Sequence, residues 1–206
     1  EYFRREKHTA LFLPTLMVRS AVTKGLEVRM VNRFLLIDST QASQEADNNY
    51  YGAVEVKAVL MRERGWRPAV SALGGFSLTP ETTRKLKGQI WGNYGLLLLE
   101  NHLTDKVMLN YNVGVTWNRY EGITSGMYSL AFELDLSSKH AVFIEQSTFF
   151  KQGSKNDNWV NLGYTYLVGH NQMDLSGGFN FNGGPDDYLL AIGYSTRIPL
   201  KTNPGN

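Results

Sequence analysis

Residues 171–197 read NQMDLSGGFNFNGGPDDYLLAIGYSTR. From Gln172 the even positions are Gln172, Asp174, Ser176, Gly178, Asn180 and Asn182, while Met173, Leu175, Gly177, Phe179 and Phe181 fall between them. After the turn signal Asn182-Gly183-Gly184-Pro185-Asp186-Asp187, Tyr188, Leu190, Ile192, Tyr194 and Ile198 alternate with Ala191, Gly193, Ser195 and Arg197. A strand repeats every two residues, so each arm has one apolar and one small or polar face. In a soluble sandwich the apolar face meets a core. In an outer-membrane barrel it meets lipid, and the polar face lines a lumen.

Upstream the same pattern recurs. Phe12, Pro14, Leu16 and Val18 oppose Thr15, Met17 and Arg19, and Thr23-Lys24-Gly25 turns the chain into Leu26, Val28 and Met30 against Glu27, Arg29 and Arg33, running to about Asp38. Further strands are expected around Val54–Leu60, over Trp66–Thr79 after the turn Arg62-Glu63-Arg64-Gly65, and over Gln89–Asn101, where Leu96-Leu97-Leu98-Leu99 hides the faces. Leu109–Asn118, Tyr128–Asp135, Ala141–Lys151 and Trp159–Val168 complete the series. Between these eleven strands, short connections alternate strictly with longer ones: Ser39–Asn49, Pro80–Lys87, Arg119–Gly126, Gln152–Asn158 and the loop after Asn182.

The chain has 206 residues, an aromatic share of 12%, 20 Gly and 11 Tyr, a composition suited to strands, turns and membrane interfaces. There is no apolar run of the roughly 18 residues that a spanning helix needs, and a mean hydropathy of −0.29 does not exclude a barrel. A net charge of +2 without a dense basic patch argues against nucleic acid. With no cysteine, disulfides, thiol catalysis and Cys-based zinc sites are excluded. No cofactor is expected.

Short periplasmic turns and longer external loops are the habit of bacterial outer-membrane barrels. An eleven-strand wall would leave its first and last strands parallel, exposing two backbone edges to lipid. One more strand ahead of Leu11 repairs this. Glu1-Tyr2-Phe3 is read as its tail and Arg4 to His8 as the first external loop, with most of that strand outside this sequence. Residues 1–206 are therefore expected to form one all-β domain, a transmembrane antiparallel up-and-down β-barrel of twelve strands in the bacterial outer membrane.

Five segments carry a family likeness: Leu13-Pro14-Thr15-Leu16 with Arg19 and Leu26-Glu27-Val28-Arg29; Arg64-Gly65-Trp66-Arg67-Pro68; Leu103-Thr104-Asp105-Lys106 with Asn110-Tyr111-Asn112-Val113-Gly114; Leu162-Gly163-Tyr164-Thr165-Tyr166-Leu167; and Met173-Asp174-Leu175-Ser176-Gly177-Gly178. In order and spacing the chain resembles the outer-membrane, transporter-like family of the meta-pathway of phenol degradation, in its Bacteroidetes-type form. The resemblance implies an outer-membrane barrel with an upstream strand. Departures stand at Ser20-Ala21, where the family tends to an aromatic-glycine pair, and at Leu96, where a basic lumen residue is expected.

The candidate lumen charges are Arg19, Glu27, Arg29, Arg33, Glu55, Lys57, Glu133, Asp135, Glu145, Asp174 and Arg197. They can set selectivity for a small solute, or pair with one another and fill a narrow barrel. His102, His140 and His170 fall at short turns and His8 at an external loop, without metal-ligand spacing. Ser147 and Ser195 face inward with no inward His on an assigned strand position, so catalysis is not expected. Tyr94, Tyr111, Trp117, Tyr128, Trp159, Tyr164, Tyr166, Tyr188 and Tyr194 are read as interface girdles. The expected function is a pore or transporter for small solutes. The alternative is a non-conducting structural barrel docking with other outer-membrane proteins; a soluble lipocalin-like binder would need an apolar interior.

Overall fold

The computed structural model describes residues 2–5, 8–39, 48–79, 90–118, 123–151, 155–184 and 187–198. Twelve strands follow in chain order: β1 (Tyr2–Arg5), β2 (His8–Thr23), β3 (Leu26–Ser39), β4 (Asn48–Met61), β5 (Ala69–Thr79), β6 (Ile90–His102), β7 (Val107–Asn118), β8 (Ile123–Asp135), β9 (His140–Lys151), β10 (Asp157–Val168), β11 (Asn171–Asn180) and β12 (Tyr188–Thr196). Each pairs antiparallel with its sequence neighbour, and β1 also pairs with β12, so the strand order returns to its start.

Among the described residues, β1 meets both its neighbours at one end of the wall. β1 has 4 residues, against 16 in β2 and 9 in β12. Tyr2, Phe3 and Arg4 pair with Leu190, Leu189 and Tyr188 on one side, and Tyr2 to Arg5 pair with Leu11 to His8 on the other. Among the described residues, Ala191–Thr196 and Phe12–Thr23 have a strand partner on one side only.

The alternation sorts side chains as the sequence implies. Residues opposed in register share a sheet face, and the pairs Arg29↔Glu55, Glu55↔Gly75 and Gly75↔Tyr94 follow one face across β3 to β6. On that face Tyr94 reaches over β5 to donate its hydroxyl hydrogen to Glu55 Oε1 at 2.5 Å. A bond that skips a strand forms readily on the concave side of a curved sheet, so this face is the lumen. A Cβ on Gly75 would lie 2.1 Å from Tyr94 Cζ, which is why glycine stands beneath the ring.

The other face is apolar and uncovered. Leu162 is 64% exposed, Ile192 81% and Tyr194 65%, and among the described residues no large side chain is fully buried. A soluble sandwich would bury these groups in a dry centre. A wall with apolar side chains on nearly every strand is instead a surface made for acyl chains.

Several boundaries differ from expectation. Arg4 and Arg5 pair with Thr9 and His8, so the expected loop Arg4–His8 is largely strand and the first connection spans only residues 6–7. The strict alternation of short and long connections fails there, and again between β7 and β8, where strands extend inward and leave residues 119–122. Trp66 does not open β5. It lies 96% exposed in a turn closed by reciprocal backbone hydrogen bonds between Arg64 and Arg67 (3.1 and 3.2 Å), with Gly65 at φ 59°. Pro68, lacking an N–H, precedes the strand, which starts at Ala69. Residues 40–47, 80–89, 119–122, 152–154 and 185–186, the middles of the expected long loops, lie outside the described residues.

Candidate functional site

The lumen is the concave surface on which the charged positions converge. Register puts Arg19 opposite Arg29, Glu27 opposite Lys57, and Arg29 opposite Glu55, on the face shared by Arg33 and Thr15. Glu133 faces Phe143, Asp135 faces Ala141, Glu145 faces Asn161, and Asp174 faces Thr165. Arg197 follows the end of β12, where its N–H donates to the His170 carbonyl at 2.9 Å. The ten positions within strands thus fall on the lumen register, and Arg197 continues its parity.

Chemically the positions divide in two. On β3 and β4, Arg29 Nε donates to Glu27 Oε1 at 2.5 Å while Nη1 stands 3.6 Å from Glu55 Oε2. With Tyr94 on its other oxygen, Glu55 belongs to a four-residue network whose Arg29 and Glu55 side chains are only 15% and 11% exposed. Charge-assisted bonds of this kind offset the desolvation of such groups. On β10 and β11, Thr165 Oγ1 and Gln172 Nε2 both donate to Asp174 Oδ1, at 2.9 and 2.8 Å, and Asn180 Nδ2 donates to Asp157 Oδ1 at 3.0 Å.

At the short-turn end, a cavity of about 260 Å³ opens inside the wall, lined among others by Glu133, Asp135, Lys139, His140, Thr165 and Asp174. Glu133 lies within Coulombic reach of Asp135, Glu100 and Asp174, which brings carboxylates from β6, β8 and β11 to one region. Phe143 also lines this cavity, its ring lying over Gly163, where a Cβ would meet Cζ at 2.2 Å.

Two lumen carboxylates escape the sequence reading. Glu100 pairs with Ala69 and Asn110 on the lumen register, beyond the four leucines that mask the faces of β6. Asp157 pairs with Phe149 and is the first residue of β10 rather than part of the preceding loop. Extending the odd parity of Trp159 and Asn161 back two residues would have found it. Register resolves the leucines as well: Leu96 and Leu98 pair with Gly114 and Asn112 toward the lumen, and Leu97 and Leu99 point outward.

Two of the nine aromatics assigned to girdles turn inward. Tyr94 serves Glu55, and Trp159 pairs with Ser147 and Asn180 on the lumen register. At the short-turn rim, His102 Nδ1 lies 2.7 Å from Glu63 Oε2, and its backbone N–H donates to Oε1 at 2.7 Å. These bonds hold the Glu63 carboxyl below its ordinary range. His140 Nδ1 is hydrogen-bonded to the Tyr164 hydroxyl, and its ring stacks on Tyr166 at 4.9 Å. His8 pairs with Arg5 and Ser39 within β2 rather than lying in a loop.

Among solved structures, the chain is similar to the KdgM porin in complex with disordered oligogalacturonate, with a TM-score of 0.63, 13% identity, and 95% of this chain and 98% of that one covered. It is similar also to a KdgM porin structure with a TM-score of 0.60 and 14% identity over the same shares. No family model and no curated protein matches the chain. At this identity the likeness is one of fold: an all-β, antiparallel, up-and-down membrane-type barrel.

Proposed function

We propose that this chain is an outer-membrane pore for small solutes. The observation that carries the reading is the two-sided wall: apolar side chains stand uncovered on the convex face while acidic and basic side chains line the concave one. Lipid accepts the first face, and ions or polar solutes need the second. The fold shared with the KdgM porins supports the same conclusion. The five segments that resemble the transporter-like family of phenol degradation are the ground for placing the chain with that family and in the outer membrane.

The reading treats the barrel as a conduit rather than an enzyme. Purified full chain, reconstituted in planar bilayers, is expected to give discrete conductance steps, and in liposomes to admit a pentose. A barrel that inserts yet passes neither ions nor sugar would overturn it in favour of the structural, non-conducting barrel.

A further inference from the structure

The lumen charges are sorted by sign around the ring. Strands β2 to β4 carry Arg19, Arg29, Arg33 and Lys57 on the lumen register, together with Glu27 and Glu55. Strands β6 to β11 carry Glu100, Glu133, Asp135, Glu145, Asp157 and Asp174. Within these strands the lumen register also holds Lys151 at the last position of β9 and His102, bonded to Glu63, at the end of β6, and Lys139 lines the cavity from the turn between β8 and β9. In the order of twelve strands, β3 stands opposite β9, so the basic arc and the acidic arc face each other across the bore.

Opposed arcs create a field across the conduit instead of along it. Low-dielectric walls concentrate that field in the confined space between them. A simple anion drawn toward one wall is repelled by the other, and the basic wall has already committed Arg29 to Glu27 and Glu55. A solute with a cationic and an anionic end can lie crosswise and satisfy both walls at once. Resting on the pore reading above, we infer that the lumen is built for small zwitterions of the amino-acid class, which it admits in preference to anions of the same size. The oligogalacturonate held by the similar porin is a polyanion, which six carboxylates on one wall would disfavour here.

The test is swelling of phosphatidylcholine liposomes carrying the full chain, at low ionic strength, in isotonic arabinose (neutral), glutamine (zwitterionic) and arabinonate (anionic). Glutamine should enter about twofold or more faster than arabinose, and arabinonate several-fold slower than glutamine. Raising salt should compress the differences, because screening shortens the reach of the walls. In the double variant Glu145→Gln, Asp174→Asn, arabinonate entry should rise and the glutamine advantage shrink. Glutamine entering no faster than arabinose, or arabinonate keeping pace with glutamine, overturns the inference and leaves the pore reading standing. Exclusion of all three solutes overturns the pore reading and the inference with it.

Discussion

The basic and acidic arcs of the lumen solve one problem in different ways. Around β3 and β4, opposite charges are bonded to each other and to Tyr94, so the wall is held by its own side chains. On β11, Asp174 accepts from the Thr165 hydroxyl and the Gln172 amide and presents its carboxylate on the lumen face. The comparison teaches that ionised side chains on one lumen need not share a role. A network that satisfies itself contributes rigidity, and a carboxylate held by neutral donors contributes field.

The strongest way to break the comparison is to remove the centre of the bonded network. Arg29→Met strands Glu27 and Glu55 without their cation and should destabilise the barrel by about 2–3 kcal/mol, less than for a fully buried pair because Glu27 is partly wet. Urea unfolding in lipid vesicles measures it. Loss below about 0.5 kcal/mol, the scale of an ordinary surface change, would show that the network does not hold the wall.

Gly75→Ala asks whether the Tyr94 bridge matters. The new methyl displaces the ring from Glu55 at a cost of about 1–2 kcal/mol. That cost should largely vanish in a Tyr94→Ala background, where no ring remains to displace, and a double-mutant cycle reads the difference. On the acidic side, Asp174→Asn keeps shape and acceptor while removing charge. Its stability should stay within about 0.5 kcal/mol of the parent, while a salt-gradient reversal potential moves away from cation preference.

The smallest effect belongs to the rim. Bonds from His102 depress the Glu63 carboxyl, so the folded form holds this proton less readily than the unfolded chain does. The linked stability is present above the unfolded glutamate pKa and is lost as pH falls through the lower folded value. In Glu63→Gln, midpoints measured through the acid range should lose that slight dependence and be otherwise unchanged.

Much of this was readable in the chain because a strand with one greasy face announces its own inside and outside. Residues 171–197 give both faces of β11 and β12 without help, and the lumen register of Arg29, Glu55 and Asp174 follows from parity alone. Where both faces are apolar, as in the leucines of β6, parity carries no contrast, and the lumen position of Glu100 depends on pairing with β5 and β7. Tyr94 and Trp159 misled for a related reason. An aromatic ring suits a membrane interface and a lumen equally, and only the glycine between Tyr94 and a carboxylate two strands away shows why the ring turns in. The first hairpin is hidden because residues such as Arg4 and Arg5 look like loop, yet backbone pairing does not ask for apolar side chains.

The order of strand pairing bears on assembly. Every other pairing joins neighbours along the chain, so the wall can zip up hairpin by hairpin with small loops to close. Among the described residues, the pairing of Tyr2, Phe3 and Arg4 with β12 is the one that joins strands far apart in the chain. That pairing closes the longest loop, so the ring should close after its hairpins have formed, and on refolding the amides of Leu189 and Leu190 should gain protection later than those of β8.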